Sequence, residues 1–142
     1  RKEFIQSNPA ALLESPQRKK ALPRALSEED VGRLLSVPEG DHPKAVRDRA
    51  ILEILYVSGI RAEECSRLDL KDLDTERRSL RVLGKGNKRR LAYFKETAFQ
   101  ALASWLAVRA TLLSSGGRSS EQAIFINDAL RPGIDRLQTD FV

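Results

Sequence analysis

Apolar positions fall into blocks with two different periods along this chain, separated by polar and proline-rich punctuation. Residues 8 to 23, with Pro9, Pro16 and Pro23 around a basic run, have no helical or strand period and read as an extended linker. Ser27 then stands as an N-cap before Glu28, Glu29 and Asp30, acids that suit the positive end of a helix dipole. Val31, Leu34 and Leu35 give that helix a buried face, and the stretch from Pro38 to Pro43 ends it. From about Lys44 to Val57 the chain carries Ala50, Ile51, Ile54, Leu55 and Val57. So much apolar circumference predicts a central, buried helix. Ser58 and Gly59 break it, and a short helix follows from about Ala62 to Leu68.

The period then changes. Turn residues surround Leu70 and Leu73 between Asp69 and Asp74, which predicts one brief strand. Leu80 to Leu83 and Leu91 to Phe94 alternate as half-buried strands do, and Gly84 to Lys88 between them reads as a hairpin loop. A long helix from about Thr97 to Leu113 carries Phe99, Leu102, Trp105, Leu106 and Leu112. Ser114 to Ser120 is a flexible loop, and Ile124 to Ile126 is short and apolar. Ile134, Leu137 and Phe141 then form an amphipathic helix that stops without a cap. The expectation is an α+β fold, mostly α, with helices around a small antiparallel three-stranded sheet. There is no internal repeat.

Length and composition narrow the class. With 142 residues, 41% of them hydrophobic and 32% charged, the chain reads as one soluble compact domain. No apolar run approaches the roughly 20 residues of a membrane span, so no membrane partner is expected. The first residues lack the apolar core of a secretory signal. The single Cys65 excludes an internal disulfide framework and fits a reducing, cytoplasmic setting. His42 and Cys65 lie too far apart to suggest a metal pair, so no metal or cofactor is expected. The absence of methionine and the uncapped last helix predict a segment of something longer, cut at both ends. A severed core would expose apolar surface, which predicts dimerisation of such a fragment.

Charge changes the picture most. The net formal charge is +5 and the isoelectric point is near 9.7, which favours an anionic partner, nucleic acid first. Between Arg77 and Leu91 lie Arg77, Arg78, Arg81, Lys85, Lys88, Arg89 and Arg90 without one acid among them. A second cluster, Arg18, Lys19, Lys20 and Arg24, lies in the linker. Read residue by residue, these positions have ordinary alternatives: a solvated basic turn, a surface arginine at Arg61, a solvated helix acid at Glu64. A nucleotide-cradling loop is excluded, because "GKGNK" has neither the spacing nor the following helix.

Two segments together carry a family resemblance. "LYVSGIRAEECSRLDLKDLD", Leu55 to Asp74, resembles the first catalytic-arginine box of the tyrosine recombinases. "LRVLGKGNKRRLAYF", Leu80 to Phe94, resembles the lysine hairpin of their Xer-like members. The linker is similar to the join between their core-binding and catalytic domains, and "AIFINDALRPG" resembles the strand-like segment before the second half of the catalytic domain. The resemblance implies that residues 1–24 are the end of a core-binding domain and interdomain linker. Residues 25–142 would be the N-terminal part of a catalytic domain, truncated. It further implies site-specific breakage and rejoining of double-stranded DNA through a 3′-phosphotyrosyl intermediate, without metal or nucleotide. DNA integration, chromosome segregation and a homo- or hetero-tetramer on two recombination sites belong to the same expectation.

In that frame Arg61 stabilises charge on the scissile phosphate, because a guanidinium holds two oxygens in one planar fork. Its place at the start of a short helix would also aim backbone N–H groups at the anion. Glu64 reads as a buried partner that orients Arg61 or the neighbouring helix. Lys85, between Gly84 and Gly86, donates a proton to the leaving 5′ oxygen, and the glycines allow left-handed angles and close approach. Lys88, Arg89, Arg90, Arg81, Lys19 and Lys20 lie along phosphates without reading sequence. The family's His-x-x-Arg box, its further His or Trp, and its nucleophilic tyrosine have no match here. Tyr56 and Tyr93 read as packing residues and Trp105 as core, so these 142 residues are expected not to cleave DNA by themselves. Two rival readings remain: a non-catalytic DNA-binding regulator on the same scaffold, and a basic RNA-binding domain.

Overall fold

A computed structural model describes residues 25–116 and 121–127, with the side chain of Lys85 outside that description. Lys19, Lys20, the linker and the helix expected near the C-terminus also fall outside it. The described elements are α1 (Glu28–Ser36), α2 (Pro43–Ser58), α3 (Ala62–Ser66), β1 (Leu73–Asp74), β2 (Ser79–Leu83), β3 (Arg89–Tyr93) and α4 (Glu96–Ser115). This is the mostly α, α+β arrangement that the periodicity predicts.

Local chemistry sets the helix ends. The Ser27 Oγ accepts from the Asp30 N–H at 3.1 Å, the expected N-cap. His42 Nδ1 accepts from the Ala45 N–H at 3.2 Å, so α2 starts at Pro43, whose missing N–H costs nothing at a first helical position. Gly59 closes α2 at φ 63°, donating its N–H to the Leu55 carbonyl at 3.1 Å. No atom within 4 Å would meet a Cβ at Gly59, so backbone angle alone selects glycine there. Gly59→Ala should therefore cost about 1 kcal/mol and lower the thermal midpoint by roughly 4 °C. An unchanged midpoint in a calorimetric scan would contradict this.

The sheet is antiparallel in the order β1-β2-β3. Its register pairs Leu80 with Ala92, Val82 with Arg90, and Leu83 with Arg89. Residues directly opposite share a face, so Leu80, Val82, Arg90 and Ala92 point one way, and Arg81, Leu83, Arg89 and Leu91 the other. Leu80, Val82 and Ala92 are buried, whereas Arg81, Leu83, Arg89 and Leu91 are exposed. The first set meets a core built by Ala50 and Ile54 of α2 and Ala98, Leu102 and Trp105 of α4. Helices α2 and α4 pack against each other, which makes α2 the central helix its composition predicts.

A strap of residues 121–127 crosses this core and is held largely by side chains. Trp105 Nε1 donates to the Ile124 carbonyl at 2.9 Å, and Arg47 Nη1 to that of Ile126 at 3.3 Å. Arg109 donates through Nε to the Ala123 carbonyl at 2.8 Å and through Nη2 to that of Glu121 at 2.6 Å. Burial lowers the Arg109 pKa from its ordinary value, with the nearby Glu121 charge opposing the shift. Two of the chain's cations, Arg47 and Arg109, are thus buried fasteners and present no charge to a partner.

Three expectations are corrected. Helix α1 contains no buried residue, and Leu34 is exposed. The Ser27 cap and the Arg33–Glu29 pair at 2.6 Å lie along it, and it meets α2 with Val31 and Leu35 only half-buried. Tyr56 and Tyr93 are not packing residues: they are 59% and 60% exposed. Tyr56 lies on the outer side of α2, and Tyr93 has the outward parity of β3.

Candidate anion-binding site at the arginine helix and the basic hairpin

The site begins with Gly59, whose left-handed turn ends α2 and swings the chain into Arg61. Arg61 is the N-cap of α3, with φ −77° and ψ 153°. Its side chain stays 72% exposed. Three residues on, one turn into the helix, Glu64 faces back and is buried, at 8% exposure. Glu64 Oε2 accepts from the Arg61 N–H at 2.8 Å, and Oε1 accepts from Arg61 Nη1 at 3.2 Å. The acid therefore fixes the arginine by main chain and side chain together. Of the backbone N–H groups at this helix start, that of Arg61 is already taken by Glu64.

Glu64 also reaches the hairpin. Its Oε2 accepts from Arg90 Nη2 at 2.9 Å. A Cβ on Gly84 would lie 3.6 Å from Glu64 Oε1 and 3.5 Å from the Lys88 carbonyl, so the loop's first glycine sits against the acid. Gly84 has φ −89°, which is not left-handed; the left-handed turn falls on Gly86 at φ 76° and Asn87 at φ 61°. The turn from Lys85 to Asn87 is broken at the left-handed Gly86, and the ends of the loop are joined by the Gly84 N–H donating to the Lys88 carbonyl at 2.9 Å.

A cleft of about 310 Å³ lies between these parts, lined by Arg61, Glu63, Glu64, Arg67, Leu83 and Gly84. A neighbouring cleft of about 420 Å³ shares Glu64, Arg67 and Leu83 and extends to Lys71, Arg81 and Arg89. Arg61 and the root of the basic loop thus border one concave surface.

The basic run finds most of its counter-charges from outside itself. Arg77 pairs with Asp74 at 3.9 Å, Arg78 with Glu96 while lying over the Phe99 ring, and Arg90 with Glu64. Arg81 donates to the Lys71 carbonyl at 3.2 Å. Among the described residues, Lys88 and Arg89 have no ion-pair partner, which leaves both free for an anion. Cys65, between Glu64 and Ser66, contributes no chemistry: burial pushes its thiol up to about 12, so no thiolate forms near neutrality. Sequence reasoning singled out Arg61, Glu64 and the hairpin, and the structure places Arg61, Glu64 and Gly84 along one cleft. It missed the inward direction of Arg90, which strand parity could have supplied.

The domain is thus an α+β fold in which an exposed arginine, fixed by a buried acid, stands beside a basic hairpin at one cleft. The chain belongs to the phage integrase family, whose model matches residues 24–138. It is 44% identical over 106 residues to "Tyrosine recombinase XerC" of Shewanella amazonensis, covering 75% of this chain and 36% of that protein. Identity is 39% over 128 residues to the protein of the same name from Myxococcus xanthus, covering 89% and 43%. The chain therefore spans well under half the length of these relatives. Among solved structures, XerA recombinase matches with a TM-score of 0.65 at 25% identity, over 88% of this chain and 40% of that one. XerH site-specific recombinase bound to difH substrate, in a pre-cleavage complex, matches the fold with a TM-score of 0.64 at 23% identity, over 87% and 35%.

Proposed function

We propose that this chain works as the front part of the catalytic domain of a Xer-like site-specific DNA recombinase, with residues 1–24 as the end of a core-binding domain and the interdomain linker. The reaction breaks the P–O5′ bond of a phosphodiester, forms a bond from phosphorus to a tyrosine oxygen supplied elsewhere in the parent protein, and frees a 5′-hydroxyl. Arg61 holds two non-bridging oxygens and stabilises the charge of the pentacoordinate phosphorus. Lys85 gives the departing 5′ oxygen its proton. Glu64 fixes Arg61, while Lys88, Arg89 and Arg81 lie along flanking phosphates, with Lys19 and Lys20 doing the same from the linker. The parent assembles as a tetramer on two DNA sites in the cytoplasm.

One observation carries this reading: buried Glu64 ties Arg61 and the hairpin root together at one cleft. The test first selects the duplexes that full-length recombinase retains from a random-sequence pool, then nicks the selected sequences and reads the reaction on a denaturing gel. A covalent protein–DNA adduct is expected, and none at any protein concentration would overturn the reading.

Binding should also weaken linearly in log affinity against log salt, with about 0.9 of slope per neutralised phosphate. Replacing both Lys88 and Arg89 by glutamine should reduce that slope by roughly 1.8, which filter binding across a salt series would measure. Structured RNA that competes as well as duplex DNA at matched salt would favour the RNA-binding reading instead.

A further inference from the structure

We propose that Arg90 is a positioning residue: its guanidinium shares the charge of buried Glu64, so that Arg61 keeps its own positive charge for the phosphate. The inference rests on the recombinase reading above, and it removes Arg90 from the set of residues that lie along the DNA backbone.

Strand parity supplies the first support. Arg90 pairs with Val82 and takes the inward face of the hairpin, whereas its neighbour Arg89 pairs with Leu83 and takes the outward one. Adjacent arginines therefore have opposite destinations. Arg89 has no ion-pair partner among the described residues, while Arg90 Nη2 lies 2.9 Å from Glu64 Oε2. The Arg90 side chain is 42% exposed, against 72% for Arg61.

Charge accounting supplies the second. A buried carboxylate paired with Arg61 alone would sum to zero, and a phosphate approaching that pair would meet little attraction. With Arg90 on the same carboxylate the group sums to +1. The distances show how the acid is divided. Glu64 Oε2 is filled by the Arg61 main-chain N–H at 2.8 Å and by Arg90 at 2.9 Å, while the Arg61 guanidinium gets only a single 3.2 Å contact on Oε1. Arg61 is oriented but not consumed, and its other N–H groups remain free for a two-pronged hold on phosphate. Removing Arg90 would leave a buried acid with one cation to claim, and Arg61 would be drawn onto it.

Four variants of the full-length recombinase test this: Arg90→Gln, Arg90→Lys, Arg89→Gln and the double Glu64→Gln/Arg90→Gln. Arg90→Gln should slow covalent adduct formation by about 100-fold, in the range of losing one electrostatic group at a reacting centre. Its salt slope of DNA binding should match the parent, whereas Arg89→Gln should lower the slope by about 0.9. Arg90→Lys, which keeps the charge, should retain a rate within about tenfold of the parent and so separates the effect from loss of fold. The double variant should be faster than Arg90→Gln alone, because a neutral amide in place of the Glu64 carboxylate no longer cancels Arg61, but slower than the parent, because the amide keeps only one of the two acceptor oxygens that hold Arg61. The proposal is overturned if Arg90→Gln lowers the salt slope as Arg89→Gln does, or if the double variant is no faster than Arg90→Gln alone. Failure of the parent protein to form any adduct would instead remove the recombinase reading, and the salt slopes would still decide where Arg90 points.

Discussion

Arg61→Ala in the full-length recombinase should leave duplex DNA affinity within a few-fold of the parent and abolish the covalent protein–DNA adduct on a denaturing gel. The split follows from the position of this side chain. Many phosphates contribute to binding, so losing one cation changes affinity modestly. In the proposed reaction only one phosphate reacts, and Arg61 stands at the cleft beside the hairpin root, held by Glu64 through two contacts. Removing preorganised charge at a reacting centre costs at least about 100- to 1,000-fold in rate, enough to take the adduct below detection. Lys85→Ala should show the same split, because an unprotonated alkoxide is a poor leaving group. Both variants giving parental adduct yields would show that these roles are wrongly assigned.

Trp105→Ala should destabilise the fold by about 3–5 kcal/mol, a large share of the roughly 5–15 kcal/mol that holds a domain of this size. Trp105 is fully buried between the helices and the strap, and its Nε1 donates to the Ile124 carbonyl at 2.9 Å. Truncation opens a cavity and also leaves that carbonyl without its donor. Trp105→Phe keeps most of the volume and should cost only about 1–3 kcal/mol, which isolates the hydrogen-bond share. Urea titration followed by circular dichroism measures both; equal midpoints for Trp105→Ala and the parent would mean that the strap is not held from this residue.

Much of this architecture was legible because period and punctuation are local properties. The alternation in Leu80 to Leu83 and Leu91 to Phe94 located the hairpin, and the run Phe99, Leu102, Trp105 located the buried face of α4. What stayed hidden depends on partners distant in sequence. No local pattern marks Arg47 and Arg109 as buried, yet both are, because residues 121–127 bring backbone carbonyls to them. The brief apolar run at Ile124 gave no sign that Asp69 and Ala123 would form a β-bridge. Leu34 has a helical stripe and remains exposed, since periodicity specifies a face and not its cover. At the site, Arg61 and the hairpin were visible as motifs. The sharing of one acid between Arg61 and Arg90 was not, because it needs the register that places Arg90 opposite Val82.

The central claim is that Arg61 and Lys85 act on the same phosphodiester, one through charge and the other through a proton. A duplex whose 5′-bridging oxygen is replaced by sulfur tests it most directly, since a thiolate, with a thiol pKa near roughly 8.5, leaves without needing a proton. On that substrate Lys85→Ala should form covalent adduct at close to the parental rate, while Arg61→Ala should remain inactive. Equal rescue of both variants, or rescue of neither, would contradict the account.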